Sequence, residues 1–316
     1  MTRPLQTFSV EIEGQTLRAA IGGAPRATRV LLLFNGIGAS LETVATFAAK
    51  FRRTRIVTFD VPGVGGSPTP PVPYRLKHLA GLAAGLLDHL GIGSVDVFGV
   101  SWGGAAAQEF AIRFPQRSRT LTLAATTAGW VMVPGSPMVL RNMLSPRRYF
   151  DAAHLMAIGG ELYGGMIRTE RELLRVHAEA LRSPSSLGYL YQMLAIWGWT
   201  SWHRLPRVEA PTLILSGTDD PIVPPVNGRI LASRLPNAVV EDVDCGHLFI
   251  LTRADEIAGR VERFVHGAPA GVPPRLRRPT RGTGRSCCRC GRTTSPPPRV
   301  TTSRRGPRPT MRSRSP

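Results

Sequence analysis

A serine bracketed by glycines two positions to either side, Gly99-Val100-Ser101-Trp102-Gly103, is the strongest chemical signal in this 316-residue chain. It follows an apolar run, Val95 to Val100, and opens a small-residue stretch with helical spacing, Gly103 to Phe114. A serine on such a strand-to-helix turn is lifted clear of the sheet with its hydroxyl exposed. The turn is so tight that bulkier residues at the two glycine positions would clash, and Gly104 with the three alanines after it lets the helix approach the sheet closely. The hydroxyl would also sit beside the positive end of a helix. Serine is a weak nucleophile and needs a base that is itself held by a carboxylate. Two later strand ends supply these in the order serine, acid, histidine: Gly217-Thr218-Asp219-Asp220-Pro221 and Cys245-Gly246-His247-Leu248-Phe249.

Of the seven histidines, His247 is the one past the acid at a strand end, while His266 comes too late, at the end of the last helical pattern. His78, His89, His154, His177 and His203 lie in helical contexts that suit surface or packing roles. Adjacent carboxylates point different ways, so one of the pair meets the imidazole. Asp220 is taken as that acid, with Asp219 as the alternative, expected otherwise to cap its turn. An acyl intermediate needs two aimed backbone N–H donors for its oxyanion. Trp102, next after the serine, is expected to supply one, and Ile37 in the loop Asn35-Gly36-Ile37-Gly38 the other. Asp60, before the glycine-rich Gly63-Val64-Gly65-Gly66, is expected to tie that loop down. That loop lacks the Lys-Ser/Thr of a phosphate-binding loop, the dinucleotide fingerprint is absent, and no His/Cys/carboxylate group has metal-ligand spacing. The chemistry expected is acyl transfer to water without cofactor or metal.

The elements that must position these residues are legible as apolar runs at Val30–Phe34, Ile56–Asp60, Val95–Val100, Thr120–Ala124, Thr212–Ser216 and Val239–Val243. Strands this uniformly apolar, alternating with helices such as His78–Leu90, indicate an α/β fold with a mostly parallel sheet covered on both faces. The ligand crevice of such a sheet lies beyond the carboxyl ends of its strands. Residues 129–207 break the rhythm. They hold four of the five tryptophans and read as helical (Glu170–Arg182, Leu187–Trp197), interrupted by Pro134, Pro137, Pro146 and Pro184. Because the α/β pattern resumes at Thr212, this segment is expected to be a helical cap inserted over the crevice, between core parts at 1–128 and 208–266.

Composition narrows the remaining possibilities. The chain lacks an apolar run at its start and any stretch of eighteen apolar residues, so neither a secretory signal nor a membrane span is expected, and the cytoplasm is the expected location. Four cysteines are too few for a disulfide scaffold. The net charge of +19 is concentrated: thirteen arginines and no acidic residue fall from Gly267 onward, leaving 27 basic and 21 acidic residues before it. This Pro/Arg/Ser-rich tail, residues 267–316, is expected to be disordered. Its Cys287, Cys288 and Cys290 lack a second ligand pair for zinc. By charge alone the tail could meet anionic surfaces or nucleic acid. The two lysines against 38 arginines also fit a displaced reading frame of GC-rich DNA. Nucleic acid is not expected as a partner of the folded body.

Several segments together resemble one family, the bacterial intracellular medium-chain-length poly(3-hydroxyalkanoate) depolymerases of the α/β-hydrolase superfamily. They are FNGIGAS (Phe34–Ser40), FDVPGVGGS (Phe59–Ser67), GVSWGGA (Gly99–Ala105), LAATTAGWVMVPG (Leu123–Gly135), SPRRY (Ser145–Tyr149), GWTS (Gly198–Ser201) and GHLFILTRA (Gly246–Ala254). The likeness runs to about residue 265 and includes the inserted segment; the tail departs from it. It implies hydrolysis of stored polyester to 3-hydroxy acids or oligomers at cytoplasmic granules, with Ser101, Asp220 and His247 as the triad. Trp197, Trp199, Trp202, Met138, Met143, Met156 and Met193 would then be available for an apolar pocket or a granule-contacting surface, although most suit packing within the cap. The expected partner is a granule surface or an ester substrate. The alternatives are a carboxylesterase of small soluble esters with the same triad, or a non-catalytic binding protein on this scaffold.

Overall fold

The apolar runs become the interior strands of one sheet because both of their faces are covered. The computed structural model describes residues 3–145, 147–181 and 185–267. Its strands are β1 (Arg3–Ile12), β2 (Gln15–Gly23), β3 (Arg29–Phe34), β4 (Thr54–Phe59), β5 (Val95–Val100), β6 (Ser118–Ala124), β7 (Thr212–Gly217) and β8 (Ala238–Val243). They stand in the order β1-β2-β4-β3-β5-β6-β7-β8. Pairing is parallel from β4 to β8 and antiparallel where β2 meets β1 and β4. Helices α1 (Leu41–Ala48), α2 (Leu76–His89) and α3 (Trp102–Arg113) fall between the strands, and α4 (Pro137–Leu144), α5 (Arg147–Phe150), α6 (Ala152–Tyr163), α7 (Arg171–Ala180) and α8 (Ser186–Ile196) lie between β6 and β7. Helices α9 (Val226–Ala232), α10 (Phe249–Thr252) and α11 (Ala254–Gly267) complete the described chain. Of the basic tail expected to be disordered, Gly267 closes α11 and residues 268–316 lie outside the described residues.

Alternate residues of each inner strand enter different cores. Leu32, Phe34, Val57 and Val97 pack with residues of α2 and α3, whereas Leu31, Leu33, Ile56 and Phe98 pack with residues of α1 and α11. That two-sided burial is why these strands read as continuous apolar runs. The hairpin β1–β2 escaped such a reading because it lies at the sheet edge, where one face is wet and the pattern alternates (Phe8, Val10, Ile12; Leu17, Ala19, Ile21). Its two-residue turn has both φ values positive, Glu13 at 50° and Gly14 at 77°, and it sets the register Ile12 opposite Gln15.

The helices between β6 and β7 have an apolar cluster of their own around Leu155, Leu162, Ile167, Leu174 and Tyr189. Three of them start on side-chain caps: Ser136, Asp151 and Ser185 accept from the backbone N–H groups of Val139, His154 and Gly188. The end of this insertion is locked to α3 through Glu109, which is 3% exposed. Trp199 Nε1 donates to Glu109 Oε2 at 2.9 Å, and Arg204 donates to both carboxylate oxygens at 3.1 and 2.8 Å. Burial pushes the Glu109 carboxyl up, but Arg204 and the Trp199 N–H outweigh it and hold it below the usual range. A depressed carboxylate contributes stability that is complete above its unfolded-state value and is lost as pH falls through the folded one. Glu109→Gln is therefore expected to cost about 2–4 kcal/mol near neutral pH, by leaving Arg204 without its anion. Urea unfolding should show that deficit shrinking in acid.

Candidate active site

The turn from β5 into α3 holds Ser101 at φ 54° and ψ −122°, outside the regions an L-residue favours. Such a conformation costs about 1–3 kcal/mol and persists only where the surroundings impose it. Here Ser101 N–H donates to Ala124 O at 2.9 Å, and Thr126 Oγ1 donates to Ser101 O at 2.7 Å. The flanking glycines are a steric necessity. A Cβ on Gly99 would lie 2.4 Å from Gly103 O, and one on Gly103 would lie 2.3 Å from the carbonyl oxygens of Phe34 and Asn35.

His247 follows β8 and Asp220 follows β7, so the parallel sheet brings both to the same edge as Ser101. His247 Nδ1 lies 2.7 Å from Asp220 Oδ2, and His247 Nε2 lies 3.1 Å from Ser101 Oγ. Asp220 Oδ1 accepts from the N–H groups of Ile222 and Val223, both at 2.9 Å. Those two bonds aim Oδ2 at the imidazole. Because a carboxylate only accepts, Nδ1 must carry the proton, which leaves the Nε2 lone pair facing the serine hydroxyl. Both Asp220 and His247 are buried.

Asp219 turns the other way. Its Oδ2 accepts from Gly165 N–H at 2.7 Å and pairs with Arg168, so it grips the helical insertion rather than capping its own turn. The insertion reaches the histidine loop as well: His247 N–H donates to Tyr163 O at 2.7 Å. A Cβ on Gly164 would lie 2.1 Å from Asp219 O, and one on Gly165 2.1 Å from Gly246 N. The two glycines thus thread between the loops that carry Asp220 and His247.

Loop Asn35–Gly38 lies across from the serine, with Gly36 facing the Ser101 Cβ. The Asn35 amide fixes its shape, donating to Ser40 O (2.9 Å) and Thr43 Oγ1 (2.8 Å) and accepting from Gly36 N–H (2.9 Å). Gln192 of α8, fully buried, accepts from Gly38 N–H at 2.9 Å through Oε1 and from Trp102 Nε1 at 3.0 Å through its backbone carbonyl. One residue of the insertion therefore braces both segments expected to supply oxyanion donors. The sequence offers no sign of it, since a lone glutamine in a helical stretch reads as surface. Asp60 holds its loop as expected, accepting from Leu41 N–H (2.7 Å), Gly66 N–H (2.9 Å) and Arg18 (3.2 Å).

Ser101 and His247 open into a mainly apolar pocket. Its walls come from Ile37, Val100, Ile222 and Leu248 of the sheet domain and from Met143, Tyr163, His177 and Leu181 of the insertion. His177, read from sequence as a packing or surface residue, stands on this wall with its ring edge-on to Tyr163 at 5.3 Å. The aromatic and methionine candidates divide. Met143 lines the pocket, Trp199 and Trp202 pack against the core, Met156 and Met193 pack within the insertion, and Trp197 and Met138 face solvent. Among the described residues no helix is long and apolar enough to cross a membrane.

Three comparisons place the chain among known proteins. Residues 30–260 match the model of the alpha/beta hydrolase family. A poly(3-hydroxyalkanoate) depolymerase of Ectopseudomonas oleovorans is 49% identical over 267 residues, covering 84% of this chain and 94% of that protein. A 3-oxoadipate enol-lactonase of Acinetobacter baylyi is 27% identical, over 78% of this chain and 92% of its own. Among solved structures, the enol-lactonase of Burkholderia xenovorans superposes with a TM-score of 0.70 at 26% identity, covering 82% of this chain and all of that one. The chain belongs to the alpha/beta hydrolase family, in the branch of the poly(3-hydroxyalkanoate) depolymerases.

Proposed function

We propose that this protein is a serine hydrolase that cleaves the ester bonds of medium-chain-length poly(3-hydroxyalkanoate) through an acyl-enzyme, at polymer inclusions in the cytoplasm. The observation that carries this reading is the relay Asp220–His247–Ser101, with its 2.7 and 3.1 Å steps, beneath an apolar pocket. The 49% identical depolymerase supplies the substrate class. His247 Nε2 takes the Ser101 proton as Oγ attacks the ester carbonyl, and Asp220 stabilises the imidazolium that forms. The N–H groups of Trp102 and Ile37 receive the oxyanion, held in place through Gln192 and Asn35. His247 then protonates the departing 3-hydroxyl of the next unit and later activates the water that releases the acid. The chain's own residues complete this cycle without a cofactor. The alkyl side chain of the repeat unit matches the apolar walls given by Ile37, Met143, Leu181 and Leu248. The insertion at 129–207 acts as a cap over the site, on a core formed by 1–128 and 208–266.

Emulsified amorphous polymer should release 3-hydroxy acids or oligomers with the wild type, and Ser101→Ala should abolish that release. A soluble octanoate ester run in parallel separates the readings: ester cleavage without polymer attack would make the protein a carboxylesterase, and silence on both would make it a binding protein.

A further inference from the structure

Helix α8 has two unlike faces. Gly188, Tyr189, Tyr191, Gln192 and Ala195 are buried, while Leu187, Leu190 and Leu194, spaced three and four apart, are open to solvent. The stripe continues at the helix end into Trp197, 69% exposed, whose ring meets that of Trp130, 66% exposed, edge-to-face at 6.5 Å. Isolated exposed leucines are ordinary, but a contiguous row ending in paired indoles marks a contact surface. The row is held in place at both ends. Ser185 caps the helix through Gly188 N–H, and the Arg75 guanidinium donates to the carbonyls of Leu194 and Trp197 at 2.8 and 3.1 Å.

We propose that this outer face of α8, extended by Trp197 and Trp130, is the surface with which the enzyme seats on solid polyester, an inference that rests on the depolymerase reading above. Two features select that occupant. Helix α8 carries no charged side chain from Ser186 to Ile196, and Arg75 is committed to backbone carbonyls. The leucine row therefore matches a neutral ester surface, while Lys77 and Arg113 stand beside Trp197 at its C-terminal end. An 11-residue helix presents a strip about 16 Å long by 10 Å wide, far short of the roughly 800 Å² per partner of a stable dimer. Position also favours it. The inner face of the same helix holds Gly38 and Trp102 through Gln192, so polymer on the outer face would lie against the element that braces both sides of the serine.

The test separates seating from turnover. Adsorption of the full chain to an amorphous polyester film is measured in the Ser101→Ala background, with and without Leu190→Ser, Leu194→Ser and Trp197→Ser together. Adsorption affinity should fall about ten-fold as apolar contact is lost. In the active background, hydrolysis of emulsified polymer should fall by a similar factor while kcat/KM on the soluble octanoate ester stays within about two-fold, the surface changes being nearly neutral for the fold. Unchanged adsorption would overturn the proposal. So would a wild-type dimer that the substitutions dissociate, or tighter wild-type binding to phosphatidylglycerol vesicles than to the film. Leu190→Ser alone carries the same test should the triple variant unfold. A wild type that releases no hydroxy acid from polymer would instead sink the depolymerase reading, whatever the substitutions do.

Discussion

Ser101→Ala is expected to lower kcat on both polymer and soluble ester about 10⁴- to 10⁶-fold with little change in fold. On the proposed mechanism the variant loses the atom that forms the acyl bond and keeps the pocket and the proposed donors at Trp102 and Ile37, so any residual rate would report on binding and those donors together. Stability gives a second readout. Alanine inherits the φ of 54° and its strain of about 1–3 kcal/mol. Glycine at the same position escapes it, so Ser101→Gly should be equally inactive yet melt at a higher temperature than Ser101→Ala. Steady-state kinetics with thermal denaturation check both. Turnover near wild type in either variant would remove Ser101 from the mechanism.

Asp220→Asn is expected to lower kcat about 10⁴-fold with a much smaller change in KM. The asparagine amide can donate to His247 Nδ1, which would place the imidazole proton on Nε2, facing the serine it must deprotonate. The neighbouring change should behave otherwise. Asp219→Asn breaks the ion pair with Arg168 and weakens the bond from Gly165 N–H, which loosens the insertion but leaves the relay aligned; a loss within about ten-fold is expected. Measuring both on the soluble ester discriminates between them, and the opposite ranking would give the acid's role to Asp219.

The helices between β6 and β7 hold the site residues at several points. Through Tyr163 O they hold the histidine loop, through Gly165 N–H they hold Asp219, and through Gln192 they hold the loop across from the serine and the Trp102 indole beside it. Movement of these helices would therefore be felt at the reacting groups directly. Contact of the α8 outer face with polymer would press on the element that positions Gly38 and Trp102.

The local part of this protein is readable along the chain, because its causes are local. A turn that admits only glycine around a serine, strands apolar on both faces, and an acid and a histidine at later strand ends all leave short-range signatures. The fold class, Ser101, His247 and an acid at the Asp219-Asp220 pair follow from them. The edge hairpin β1–β2 left a weaker alternating signature, since one of its faces is wet. Other features had no local cause. Which of two adjacent aspartates meets the imidazole depends on Ile222 and Val223 orienting one carboxylate and on Gly165 and Arg168 drawing the other away. The role of Gln192 depends on Gly38 and Trp102, each some ninety residues or more distant in sequence. His177 lines the pocket and Trp197 faces water only because of how the inserted helices lie over the sheet. Spacing within a segment records which backbone it can adopt; which side chains then meet is settled by packing between segments far apart in the chain.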